Sequence, residues 1–194
     1  MIKDIARLKE EIVSFGLLLW DKGLVGGWNG NISLRVDSTS FLVTATGTCL
    51  GRLMADDIVL LHQDGRVLDG RKPSSETPLH RDIYAGLPGV QAVIHTHTVH
   101  ANAFFLEHDV FKSVTFEGAD VLGEVRAADQ DGVNVRDTQA VVQLLERNPV
   151  VALRRHGVVS VGKDLFECFA RIQTLEEQVK IEAVSRIFRS SARG

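Results

Sequence analysis

The sequence predicts an α/β fold, a single domain over residues 1–194 in which a mainly antiparallel or mixed sheet is covered by helices. Three observations carry that prediction. Helical periodicity marks both ends of the chain, short apolar runs bounded by turn residues lie between them, and no repeat, low-complexity segment or linker divides the sequence. A chain of 194 residues can bury a substantial core in one unit.

Ile5, Leu8, Ile12, Phe15 and Leu19 recur every three to four residues, so Ile2 to Leu24 reads as an amphipathic opening helix ended by Gly23, Gly26 and Gly27. Asn29 to Val36 reads as a turn entering a strand, and Phe41 to Ala45 as its antiparallel partner. Ile58–Leu61 and Arg66–Leu68 flank Gln63-Asp64-Gly65, where Asp-Gly signals a second hairpin. Pro73 to Pro78 precedes a helical pattern through Leu79, Ile83, Tyr84 and Leu87, with a serine as the expected N-cap. The apolar run Val90–Ile94 then leads as a strand into His95-Thr96-His97, and Val99–Leu106 returns as helix. Gly118–Asn134 gives no clear period. Thr138–Arg147 reads as helix, Val150–Leu153 and Val158–Val161 as paired strands, and Asp164–Arg189 as a long closing helix.

Composition narrows the function. Apolar residues make up 44% and charged residues 24%, which fits a globular chain and excludes disordered or fibrous classes. The net charge of −3, with no dense Lys/Arg cluster, argues against nucleic acid as a partner. The pairs Arg71-Lys72 and Arg154-Arg155 better suit a phosphorylated small molecule. Cys49 and Cys168 form neither a disulfide framework nor a paired zinc motif, and no apolar run approaches a membrane span. A cytoplasmic location with no membrane partner is expected.

His95 and His97 are two apart on a strand, so both imidazoles face one side and can meet at one metal ion. His156, beside a turn, can complete a facial set. Three neutral histidines with a vacant position suit catalytic zinc; for any one alone a satisfied core or turn histidine is the better reading, and for the set it is metal binding. His100 is read as supporting or structural, because the following helix turns it away.

Five motifs occur in order: Asn29-Gly30-Asn31-Ile32-Ser33, Thr44-Ala45-Thr46-Gly47, Ser74-Ser75-Glu76, His95-Thr96-His97 and Arg155-His156-Gly157. Together they resemble the class II aldolase/adducin family over nearly the whole chain. The resemblance implies an α/β/α layered fold and a homotetramer with sites near subunit interfaces. It assigns His95, His97 and His156 as metal ligands for Zn²⁺, or another divalent metal, and Glu76 as the catalytic carboxylate. Asn31, Thr46, Gly47, Ser74 and Ser75 match the positions that cradle a substrate phosphate; hydroxyls, an amide and backbone N–H groups can form an uncharged anion nest there. Turn formation and helix capping are coexisting readings for those five residues, and N-terminal charge pairing is the plain reading for Glu76.

The activity implied is a zinc-dependent lyase that splits a small ketose 1-phosphate by retro-aldol chemistry into dihydroxyacetone phosphate and an aldehyde, through a metal-stabilised enediolate. A sugar-phosphate dehydratase similar to methylthioribulose-1-phosphate dehydratase is the alternative. A 4-epimerase, a decarboxylase and a non-enzymatic adducin-like scaffold stand further back. Related aldolases place a tyrosine where this chain has Phe116, and Tyr84 reads as core packing instead. Asp120 stands in a Thr-Phe-x-Gly-x-acid pattern near the dehydratase acid/base position, and is read either as that group or as a solvated loop carboxylate.

Overall fold

A computed structural model describes residues 4–68 and 71–191. Helix α1 (Ile5–Asp21) is capped by Asp4, whose carboxylate accepts the N–H groups of Ala6 and Arg7. The expected start at Ile2 lies outside the described residues. Strands β1 (Asn31–Arg35) and β2 (Ser40–Thr44) form the expected antiparallel hairpin, and two short 3-10 turns lead to β3 (Ile58–His62). The second hairpin is only begun. Leu61 and Val67 make an isolated bridge, but no layer covers the exposed Val67 and Leu68, so Arg66–Leu68 does not extend as a strand.

Helix α2 (Thr77–Gly86) has Glu76 at its N-cap instead of a serine. Thr77 N–H already bonds the Ser74 carbonyl in a tight turn, and the Ser74 hydroxyl accepts the Glu76 N–H at 3.2 Å. Then follow β4 (Ala92–Thr96), α3 (Val99–Glu107), β5 (Val110–Lys112), α4 (Phe116–Leu122), β6 (Glu124–Ala128) and α5 (Thr138–Leu145). Strands β7 (Val150–Leu153) and β8 (Gly157–Gly162) pair as expected, and α6 (Leu165–Ser191) closes the chain. The stretch Gly118–Asn134 holds most of the seven-residue α4 and the five-residue β6, elements too short to establish a period.

The sheet has the order β3-β2-β1-β4-β8-β7-β6-β5, antiparallel throughout except between β6 and β7. Strand alternation divides its side chains into two cores. Ile32, Ile94, Ala152 and Val158 face α1, α3, α4 and α6, whereas Val43, Val93, Val151 and Val159 face α2 and α5. The result is a three-layer α/β/α fold, as expected. No described helix is long and apolar enough to cross a membrane.

One buried carboxylate ties two helices of one layer, α3 and α6, next to β4. Glu176 on α6 accepts the backbone N–H groups of His100 and Ala101, at 3.1 and 2.9 Å, and the His100 ring at 2.7 Å. Thr98, at the N-cap of α3, makes no side-chain cap, so this carboxylate satisfies helix donors that lack intrahelical partners. Glu176→Ala should therefore lower unfolding free energy by about 2 kcal/mol in a denaturant titration. An unchanged midpoint would mean that solvent caps α3 equally well.

Candidate active site

Strand β4 places His95 in its last turn of pleat, and His97 lies just past its end on the same face. Opposite them, the turn between β7 and β8 carries His156. Arg155 takes a left-handed φ of 62° there, and Asn102 on α3 holds the His156 carbonyl at 3.2 Å. The three rings meet edge to face with centroids 4.8 to 4.9 Å apart, and one nitrogen from each lies within 4.8 Å of the others. Close approach of β8 depends on Gly157: a Cβ there would lie 2.2 Å from the Thr96 carbonyl oxygen and 2.8 Å from the His95 ring.

The donor set fits a divalent cation. His95 donates Nδ1–H to the Val158 carbonyl at 3.1 Å, which leaves Nε2 as the free lone pair. That Nε2 lies 2.9 Å from His97 Nε2, and His156 Nδ1 is buried without a hydrogen-bond partner among the described residues. Lone-pair nitrogens this close need a shared proton or a cation between them. Burial keeps all three rings neutral: His95 is held well below the usual histidine range, His97 is pushed down to about 4, and His156 is lowered.

A cavity of about 370 Å³ opens over the histidines. Glu76 lines it, only 6% exposed, with neither carboxylate oxygen hydrogen-bonded among the described residues. Desolvation pushes its pKa up to about 7; the Val135 backbone N–H offsets part of that shift without reaching hydrogen-bond geometry. Across the cavity, Thr46 and Gly47 form a turn with Gly47 at φ +73°, a conformation glycine adopts freely. Backbone bonds from Thr46 to Lys72 and from Ser74 to Thr44 bring Ser74 and Ser75 beside that turn. Asn31, first residue of β1, pairs in register with His95 and completes the wall.

Every expected site residue except Asp120 thus lines one cavity. Asp120 is exposed on α4, a helix packed on α6 rather than a loop leading to the histidines, and it does not join Glu76. None of Arg71, Lys72, Arg154 and Arg155 lines the cavity, although Arg154 and Arg155 border an adjoining pocket with His97 and His156. Arg71 is engaged by Asp57 and Arg154 by Asp109 and Asp129, so the polar wall is uncharged. Trp28, Thr48, Val133 and Asn134 also line the cavity and were not anticipated; Val133 and Asn134 come from the segment without a period. His80 was missed too, although it stands four residues after Glu76 and hence on the same helix face.

The model of the class II aldolase and adducin N-terminal domain matches residues 10–183. An L-fuculose phosphate aldolase from Methanococcus vannielii is 31% identical, over 92% of this chain and 97% of its own. A methylthioribulose-1-phosphate dehydratase from Acidiphilium cryptum is 33% identical, over 95% and 94%. The crystal structure of l-fuculose-1-phosphate aldolase from Thermus thermophilus matches with a TM-score of 0.87 and 27% identity, covering 95% of this chain and 97% of that one.

Cation uptake checks the electrostatics of the cavity. Rings already neutral have no protons to lose, so zinc binding to Glu76→Gln at pH 7 should release no more than the fraction of a proton that a zinc-bound water gives up. The unaltered protein should release up to about half a proton more, as the cation draws Glu76 below its value of about 7. Calorimetry in two buffers of different ionisation enthalpy measures both; release of a proton per ring would show that the histidines are not held neutral.

Proposed function

The chain belongs to the class II aldolase and adducin family, and from that premise we propose that it is a zinc-dependent lyase cleaving a small ketose 1-phosphate to dihydroxyacetone phosphate and an aldehyde. One observation carries the reading. A buried carboxyl with no partner shares a cavity with three convergent histidines on one side and an uncharged hydroxyl-rich wall on the other. The relatives named as aldolases support cleavage as the reaction.

When bound by His95, His97 and His156, the cation supplies Lewis-acid polarisation of a carbonyl oxygen. The chain's own groups do the rest. Asn31, Thr46, Gly47, Ser74 and Ser75 bind the phosphate, fixing the carbon skeleton against Glu76. Glu76 stays protonated to about pH 7, so it can give a proton to the carbon that keeps the electron pair when the carbon–carbon bond breaks, and take one back in the reverse direction. Burial that leaves the carboxyl unpartnered is the feature that makes it able to exchange protons at neutral pH.

Trp28 and Val133 at the cavity rim are 83% and 85% exposed, and apolar surface of that kind favours a subunit interface, in line with a homotetramer whose sites lie near subunit boundaries. Two free cysteines suit a reducing, cytoplasmic setting. The Acidiphilium relative favours a second reading, in which the same cavity eliminates water from a sugar phosphate. Products separate the two. Incubation of zinc-loaded protein with ketose 1-phosphates should release dihydroxyacetone phosphate, whereas a dehydrated diketone without triose would establish the dehydratase. Glu76→Gln should keep its zinc and lose turnover by about a thousandfold. Undiminished product formation by that variant would remove Glu76 from the mechanism.

A further inference from the structure

Behind the cavity wall lies a chain of buried polar groups that the proposed reaction does not use. Tyr84 Oη is 2.7 Å from Ser33 Oγ, Ser33 Oγ is 2.6 Å from His80 Nδ1, and His80 Nε2 is 2.5 Å from Asn31 Oδ1. Ser33 and His80 are fully buried and Tyr84 almost so, while Asn31 at the far end lines the cavity. Two strand positions on one face, Asn31 and Ser33, thereby interlock with two positions one turn apart on α2.

An unbroken chain can run in only two directions; if Tyr84 and His80 both donated to Ser33, the buried serine hydroxyl would have no described acceptor for its own proton. A neutral imidazole has one N–H, so His80 either donates from Nε2 and accepts at Nδ1, or the reverse. Burial without a carboxylate partner keeps the ring neutral, lowering its pKa to about 3. In the first direction Tyr84 donates to Ser33, Ser33 to His80, and His80 to the Asn31 side-chain carbonyl. The Asn31 NH₂ group is then the end presented to the cavity, a donor suited to an anion. In the second direction Ser33 donates to Tyr84, and the phenol proton is left within the apolar cluster that Tyr84 shares with Phe41. Tyr84 has no other described hydrogen-bond partner, so its proton would be buried without an acceptor. Asn31 would also have to turn its carbonyl oxygen toward the ligand.

We infer that Tyr84, Ser33 and His80 form a one-way hydrogen-bond relay that locks Asn31 with its NH₂ group toward the cavity, so that Tyr84 and His80 are positioning residues for binding a phosphate group. Burial beside an apolar cluster makes the phenol the fixed end, and Arg35 stacked 4.6 Å from the Tyr84 ring centroid holds that ring in place. A residue remote from the cavity thus decides which end of an amide faces the ligand. The inference rests on the phosphate cradle proposed above.

Histidine-selective ¹⁵N NMR of the zinc-loaded protein reads the His80 tautomer directly, and titration with inorganic phosphate reads the consequence. The unaltered protein should show His80 protonated at Nε2. Tyr84→Phe removes the fixed donor and should shift His80 toward the Nδ1–H form while weakening phosphate binding about tenfold. His80→Asn, whose amide substitutes for the Nδ1 side, should weaken binding similarly; His80→Gln, which restores a donor near Nε2, should bind within about threefold of the unaltered protein. An Nδ1–H tautomer in the unaltered protein overturns the relay even where the variants fail to fold. So does unchanged phosphate affinity in folded Tyr84→Phe. Failure of the unaltered protein to bind phosphate, with His80 in the Nε2–H form, instead overturns the cradle and with it the relay's role.

Discussion

The arrangement depends on β4 being held in fixed register between β1 and β8. His95 pairs with Asn31 on one side and Val159 on the other, so a single strand position sets a metal-ligating ring beside an anion-facing amide. A slip of one residue would turn His95 and His97 into the opposite core and bring Ile94 round to the cavity side. Apolar packing prevents the slip, since Ala92 and Ile94 fill one core as Val93 fills the other. Gly157 then allows β8 to approach the strand end closely enough for His156 to join the pair. The register that builds the hydrophobic layers therefore also assembles the site.

Desolvation gives the site its electrical character. The same burial that keeps three imidazoles neutral holds Glu76 protonated near neutrality, so the cavity without a cation carries little formal charge. These shifts act in opposite senses on stability. Histidines lowered in the folded state favour folding above their ordinary value of 6.5, and His97 loses that contribution as pH falls through about 4. Glu76, raised in the folded state, favours folding below 4.5 and loses that contribution as pH rises through about 7. Near neutral pH the histidines are therefore already in the state that accepts a cation, whereas Glu76 stands at its titration point, where proton transfer is easiest in both directions.

Much of this was legible in the chain because the signals were local. Strand alternation at His95 and His97, the apolar periods of α1 and α6, and the ordered motifs each sit within a few residues, and the structure places them as read. What escaped was of two kinds. Short elements such as α4 and β6 hold too few residues to display a period, which also left Val133 and Asn134 unnoticed and the helix under Asp120 unread. Tertiary partnerships were the other kind: Arg71 and Arg154 looked free to meet a phosphate until their carboxylate partners, from distant segments, were brought to them. His80 lies between the two kinds, because its helix spacing from Glu76 was visible while its bond to Asn31, 49 positions away, was not.

The division of labour between the two faces of the sheet follows from the number of helices that cover each. Helices α1, α3, α4 and α6 cover one face with an almost wholly apolar core, and each buried Leu or Ile there contributes about 1.5–3 kcal/mol. Only α2 and α5 cover the other, where Ser33, His80, Asn31 and Glu76 replace apolar contacts at the cavity end. Buried polar groups stabilise little and cost much when unpaired, so a face built this way cannot be the main source of stability. The apolar face supplies it instead, through the same strands. Because β1 and β4 are fixed from behind by Ile32 and Ile94, the polar side chains in front need not hold the sheet together. They are left free to be arranged for directionality, which is what an amide presented to an anion and a carboxyl left without a partner both require.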